Sequence, residues 1–109
     1  KKACLLIKKA AKKGAVIALF PEVFIPGYPD WIWHIAPGDM TLNQKLYALL
    51  LEQSVTIESE DIQKLCKAAR MNNIHVVMGI NEKNTASSAG SIYNTLLFIS
   101  NTGKIYGKH

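Results

Sequence analysis

One short stretch constrains this chain more than any other: an apolar run at residues 15–20 stops at a proline and is followed at once by an acid, Glu22. The run predicts a strand, and its near-continuous apolar character predicts a strand covered on both faces. A carboxylate delivered by such a strand loses hydration, so we expect Glu22 to be paired with a cation or to have a perturbed affinity for its proton. Either condition suits a general base. The alternative for an acid in this place is a loop residue or a helix cap.

The loop at residues 26–33, PGYPDWIW, combines two prolines, one glycine and three aromatic side chains. Prolines fix φ and remove backbone donors, glycine permits a tight bend, and aromatic rings supply rigid apolar surface. A stiff loop of this kind can hold a side chain in place and enclose a small apolar pocket. We therefore expect Tyr28 and Trp33 to line a substrate pocket beside Glu22, with simple loop packing as the alternative for both.

Three strings resemble the nitrilase branch of the carbon-nitrogen hydrolases. LFPEVFIPGYPDWIW at residues 19–33 resembles the segment around the catalytic glutamate of that family, and its PDWIW ending resembles nitrile-hydrolysing members more than amidases or carbamoylases. VVMGINEK at 76–83 and YNTLLFISNTGKIYGKH at 93–109 follow in the order of the family. The resemblance covers nearly the whole chain and implies an α/β chain that forms part of an αββα sandwich.

The resemblance also implies a reaction. In the family, a triad of glutamate, lysine and cysteine converts a nitrile to a carboxylic acid and ammonia, without a metal or an organic cofactor. Glu22 matches the glutamate of the triad and would act as general base. The matching lysine is expected shortly after residues 107–109 and the cysteine further on, so this chain contains one of the three catalytic residues. We therefore expect the 109-residue polypeptide alone to be inactive.

Two other functions compete with a nitrilase that acts on a small-molecule nitrile. The first is an amidase-type carbon-nitrogen hydrolase with the same triad. The second is a truncated, non-catalytic subunit that acts by association. Open strand edges and an uncovered apolar face would promote association, so we expect the isolated chain to self-associate and the complete protein to be a homo-oligomer.

Length and composition bound the class of protein. A chain of 109 residues is one domain at most, and 49% hydrophobic with 19% charged residues argues against disorder. The resemblance implies that residues 1–109 are an incomplete N-terminal portion of a carbon-nitrogen hydrolase domain, without its first strand and its C-terminal half. No apolar run approaches the roughly 18 residues of a membrane span, and no cleavage-like site follows the basic N-terminus. We expect a cytoplasmic protein with no membrane partner.

The formal net charge of +5 raises the question of nucleic-acid binding. Most of the cations fall in two predicted amphipathic helices, where a solvated helix face accounts for them, among them Lys1, Lys2, Lys8, Lys9, Lys12, Lys13 and Lys64. No nucleic-acid-binding motif accompanies them, so we expect no nucleic-acid partner.

The remaining chemistry-bearing residues favour structural roles. Cys4 and Cys66 lie on apolar helix stripes and are expected to be buried free thiols, and no Cys and His spacing indicates a metal site. Glu82 is expected to be a solvated loop acid, with a second acid near the site as the alternative. The other residues expected to be structural or on the surface are His34, His75, His109, Lys104 and Lys108.

Periodicity and turn residues predict the elements. Helices are expected at 1–13, at 41–53 with Thr41 as cap, and at 60–70 with Ser59 as cap. Further strands are expected at 74–80, 93–100 and 104–106, the last two as a hairpin. The polar loop at 81–91 is the best candidate for mobility.

Overall fold

The computed structural model describes residues 1–85 and 90–109 and shows a mixed α/β chain, as the sequence predicts. Residues 86–89, within the loop predicted to be mobile, lie outside the described residues. The elements are, in order, α1 (Lys2–Lys12), β1 (Ile17–Leu19), a short 3₁₀ helix (Asp30–Trp33), α2 (Met40–Gln53), α3 (Glu60–Met71), β2 (His75–Lys83), β3 (Ile92–Ile99) and β4 (Ile105–Lys108).

The four strands form one sheet in the order β1-β2-β3-β4. β1 pairs with β2 in parallel, with Ile17 beside His75. The β2–β3 and β3–β4 pairs are antiparallel. The carboxyl ends of β1, β2 and β4 therefore lie at the same end of the sheet. In open α/β sheets this is the end where ligands bind.

The core lies between one face of the sheet and the helices α1 and α3. Both helices are amphipathic and turn their apolar stripes towards alternate residues of the strands. Each fully buried aliphatic side chain contributes about 1.5 to 3 kcal/mol relative to exposure. The largest side chains of this core with almost no exposure are Ile7, Ile62, Ile74, Val76, Met78, Ile80, Leu97 and Ile99.

The opposite face of the sheet is open at β1, which corrects the expectation of a strand covered on both faces. Ile17 and Leu19 are 54% and 75% exposed, while Ala18 between them is buried. The apolar run was correctly read as a strand, but α1 and α3 both pack on one face. The helix α2 has no buried residue.

Among the boundaries that differ from the sequence prediction, two have a clear physical cause. β2 continues to Lys83, three residues past the predicted end, because β3 goes on pairing with it at Asn81, Glu82 and Lys83. α2 begins at Met40, and its cap is Asp39, whose carboxylate accepts a hydrogen bond from the Leu42 amide at 3.0 Å. The prediction that Thr41 caps this helix is therefore wrong.

The helix α3 follows its prediction closely. Its N-cap is Ser59, whose hydroxyl accepts a hydrogen bond from the Ile62 amide at 3.5 Å. Lys64 donates a hydrogen bond to Asp61 at 3.0 Å, and this contact raises the pKa of Lys64. The predicted lysine faces of α1 and α3 are all exposed. Within residues 1–85 and 90–109, every helix is too short or too polar to cross a membrane.

Candidate active site

Glu22 lies in a bulge that leaves the sheet between two points of attachment to β2. On one side, the Phe20 amide donates to the Val77 carbonyl at 2.9 Å. On the other, the Ile25 amide donates to the Gly79 carbonyl at 3.2 Å, and Ile25 forms a parallel bridge with Ile80. The chain therefore departs after Phe20 and returns at Ile25. Glu22 is held at the carboxyl end of β1 by backbone pairing on both sides.

The bulge includes a strained residue. Val23 has a φ of 49°, in the left-handed region that β-branched residues rarely adopt. Such a conformation costs on the order of 1 to 3 kcal/mol and persists only where the surroundings fix it. Val23 is 4% exposed, so burial of its side chain stabilises the turn that presents Glu22.

The carboxylate of Glu22 is exposed, and its partner is an amide. Asn94, on β3, donates a hydrogen bond from Nδ2 to Glu22 Oε1 at 2.5 Å. The expectation that the strand would bury this acid is wrong, because the bulge leaves Glu22 exposed. Its pairing with a cation stays a prediction, since the lysine of the triad is expected beyond these 109 residues.

A cavity of about 770 Å³ lies between the bulge and the N-terminal halves of α1 and α3. Glu22 and Tyr28 both line it, together with the apolar side chains of Phe24 and Ile25. Tyr28 is half exposed, so its ring is free to contact a ligand. The structure therefore brings Glu22 and Tyr28 to one cavity, and their substrate roles stay predictions.

Trp33 is not among the residues that line this cavity. It lies at the end of the 3₁₀ helix and is 74% exposed. Because Trp33 does not line the described cavity, its role in substrate binding stays a prediction without support from this cavity.

Glu82 is the clearest correction among the candidate residues. It lies in β2 with 8% exposure, so the expectation of a solvated loop acid is wrong. Its carboxylate accepts a hydrogen bond from the Thr95 hydroxyl at 2.9 Å and forms an ion pair with the Lys108 ammonium. Lys108 is exposed as predicted, but it is also the partner of this buried acid. Lys104 is exposed.

The cysteines and histidines have the following positions. Cys66 is a buried free thiol as predicted, and burial raises its pKa. Cys4 is also free but only partly buried, and it lines the cavity beside Glu22. His75 stacks on Tyr106 with ring centroids 6.2 Å apart. His34 and His109 are both exposed.

Sequence reasoning missed the residues that hold Glu22. Asn94 belongs to the YNT string, which carried the resemblance but no assigned role. Nothing local marks it as the partner of an acid 72 residues away, because that contact depends on the register of β2 and β3. Gly79 was likewise counted only as part of a strand.

The fold and the site together define an α/β protein that presents one carboxylate at the ligand-binding end of a sheet. The whole chain, residues 1–109, matches the carbon-nitrogen hydrolase family. The chain belongs to that family, and the resemblance seen in its sequence is confirmed.

Curated relatives include proteins named as nitrilases. The chain is 40% identical over 104 residues to an arylacetonitrilase of Aspergillus oryzae, covering 95% of the chain and 28% of the relative. It is 40% identical over 108 residues to a nitrilase of Bacillus sp. OxB-1, covering 99% of the chain and 30% of the relative. An aliphatic nitrilase of Rhodococcus rhodochrous is also 40% identical, over 94% of the chain and 26% of the relative. The chain thus spans less than a third of these relatives.

Solved structures share the fold at lower identity. An N-terminal amidase in complex with an Asn-Glu-Ala peptide aligns with a TM-score of 0.61 at 19% identity, over 99% of this chain and 23% of the amidase chain. A carbon-nitrogen hydrolase of Helicobacter pylori G27 aligns with a TM-score of 0.61 at 15% identity, over 99% of this chain and 32% of the other. These likenesses confirm the nitrilase-like α/β fold.

Proposed function

We propose that the complete protein carrying this chain hydrolyses a small nitrile to a carboxylic acid and ammonia, with Glu22 as the general base. The observation that carries the proposal is the 40% identity to proteins named arylacetonitrilase, nitrilase and aliphatic nitrilase over at least 94% of the chain. The chain covers less than a third of each, so the activity is proposed for a longer polypeptide.

The geometry at Glu22 supports this proposal. Glu22 is exposed, lies at the carboxyl end of a strand and is one of the residues that line a cavity large enough for a small organic molecule. Phe24, Ile25 and Tyr28 give that cavity an apolar wall. A mostly apolar pocket with a few convergent polar groups is the usual form of a small-molecule site.

In the proposed reaction, a cysteine thiolate attacks the nitrile carbon and forms a thioimidate. Water adds, ammonia leaves, and a second water hydrolyses the resulting thioester to the acid. Glu22 accepts the proton of the thiol and later that of water, from within roughly 2.6 to 3.2 Å. The cysteine and the lysine of the triad would come from residues outside these 109. The chemistry needs no metal or organic cofactor.

Ammonia release from a nitrile tests the proposal. The complete protein is assayed with an arylacetonitrile, an aliphatic nitrile and the matching amides, alongside its Glu22→Gln variant. We expect nitrile turnover, and a loss in kcat of roughly 100- to 10,000-fold in Glu22→Gln, the range over which a positioned base acts. Glu60→Gln is the matched control, because Glu60 is an exposed acid on α3 with a 3.8 Å ion pair to Lys64.

Equal turnover by Glu22→Gln and Glu60→Gln would refute the assignment of the base. Turnover of amides but not of nitriles would assign the protein to the amidase-type members of its family. Nitrile hydrolysis by the 109-residue polypeptide alone, lost in Glu22→Ala, would show that these residues suffice for activity.

We further propose that the complete protein is cytoplasmic and homo-oligomeric, with the 109 residues as its N-terminal portion. The intact mass of the protein from its natural source, compared with the 12.1 kDa of these residues, measures how much polypeptide accompanies them.

A further inference from the structure

The backbone around Glu22 rests directly on one residue of β2. A Cβ atom added at Gly79 would lie 2.3 Å from the Pro21 carbonyl oxygen, 2.7 Å from the Val23 nitrogen and 2.9 Å from the Glu22 Cα. All three are backbone atoms of the bulge, so no flexible side chain could move aside. Ordinary contact begins near 3.4 Å. Any side chain at Gly79 would therefore displace the bulge by about 1 Å.

A second residue fixes the carboxylate itself. Asn94 faces the bulge from β3, and its side-chain amide donates to Glu22 Oε1. The residue beside Asn94 in the sheet is Asn81, whose backbone amide donates to the Ile25 carbonyl at 2.8 Å where the bulge returns to β2. The pairing register of β2 and β3 therefore places the Asn94 side chain beside Glu22, at the same point where Asn81 holds the end of the bulge.

We propose that Gly79 and Asn94 are positioning residues for Glu22: Gly79 leaves the space in which the bulge lies, and Asn94 sets the orientation of the carboxylate. Neither residue has to touch the substrate. The inference rests on the proposed role of Glu22 as general base. Its structural part, the contact between these side chains and Glu22, can be tested without any activity.

The structural test uses the complete protein and nuclear magnetic resonance of its side-chain amide groups. The side-chain amide signal of Asn94 is identified as the one that is missing from the spectrum of the Asn94→Asp variant. We expect that signal to move in Glu22→Gln and to stay in place in Glu60→Gln. An Asn94 signal that is unaffected by Glu22→Gln would overturn the proposed contact.

The functional test uses the complete protein. Gly79→Ala is expected to lower kcat on the order of 100-fold, because a displacement of about 1 Å has an effect of that size. The matched control is Gly90→Ala, where an added Cβ meets nothing within 4 Å. Asn94→Asp keeps the shape but replaces the donor by a second carboxylate that repels Glu22, and we expect a loss in kcat of roughly 10- to 100-fold. In both variants KM should change much less than kcat.

The control for Asn94 is Asn101→Ala, which removes a side-chain amide hydrogen bond to Asn73 between the turns that follow β3 and precede β2. A kcat for Gly79→Ala equal to that of Gly90→Ala, or for Asn94→Asp equal to that of Asn101→Ala, would overturn the proposal. If Gly79→Ala fails to fold, the Asn94 variants decide alone. If the parent protein turns over no nitrile, the proposed function fails, and the resonance test still decides the contact.

Discussion

Replacement of Lys108 by methionine tests how strongly the buried acid Glu82 depends on its partner. The carboxylate of Glu82 has two partners among the described residues: the Thr95 hydroxyl, at 2.9 Å, and the Lys108 ammonium. The Glu82 side chain is 10% exposed and that of Lys108 is 53% exposed. Methionine keeps most of the aliphatic stem and removes the charge. Lys108→Met therefore leaves a buried carboxylate with Thr95 as its donor.

The magnitude follows from the unequal burial of the two partners. Breaking a fully buried ion pair costs about 3 to 5 kcal/mol, and a hydrogen bond to a charged group contributes about 1.5 to 3 kcal/mol. Because water reaches the half-exposed Lys108, we expect the lower range, about 2 kcal/mol of the free energy of unfolding. Glu82→Gln should cost only about 1 kcal/mol, since the amide still accepts from Thr95 and Lys108 remains hydrated.

Urea unfolding followed by circular dichroism measures these values, at one protein concentration for all variants. The midpoint for Lys108→Met should fall by about 1 M urea, given a typical slope of about 1 to 3 kcal/mol/M. Lys104→Met, at an exposed lysine of the same hairpin, is the control. The double variant with Lys108→Met and Glu82→Gln should be more stable than Lys108→Met alone, because it no longer buries a charge. Strict additivity of the effects of Lys108→Met and Glu82→Gln on the free energy of unfolding would refute this reasoning. Equal midpoints for Lys108→Met and Lys104→Met would refute it as well.

Two further predictions concern the thiols and the open face of the sheet. Burial raises the pKa of Cys66, so its thiolate fraction at neutral pH is small and rises only towards alkaline pH. A chromogenic disulfide should therefore react fast with Cys4 and slowly with Cys66, and a fast-reacting thiol left in Cys4→Ser would contradict this. The isolated chain should self-associate through the exposed face of β1, so Leu19→Lys should lower its mass by light scattering while Leu5→Lys, on α1 and 68% exposed, should not. Equal masses for these two variants, or a monodisperse parent monomer, would count against that interface.

The parts of the fold that the sequence predicts well are those fixed by local chemistry. Ser59 caps α3 as expected, since a serine before an acidic first turn and an apolar stripe is a local signal. The strand ending near Glu22 is likewise set by its own residues and by Pro21. The α/β class follows from the order of such elements.

The errors arise where burial depends on a distant neighbour. Residues 81–84 are polar and indicate a loop, yet β3 pairs with the first three of them and extends β2 through Lys83. That extension buries Glu82 beside Thr95 and within reach of Lys108. The open face of β1 is an error of the same kind, because an apolar strand carries no information on how many of its faces are covered.

The candidate site shows the same division between local and distant determinants. The place of Glu22 after the strand can be predicted from its sequence neighbours, and its catalytic role stays a prediction. Its exposure and orientation depend on the bulge, which exists only because β2 offers a glycine under it and attachment points on either side. Substitutions at Gly79 and Asn94, which lie far from Glu22 in the sequence, should therefore alter its position and orientation. Changes confined to the exposed side chains of the aromatic loop, such as Trp33, leave these contacts intact.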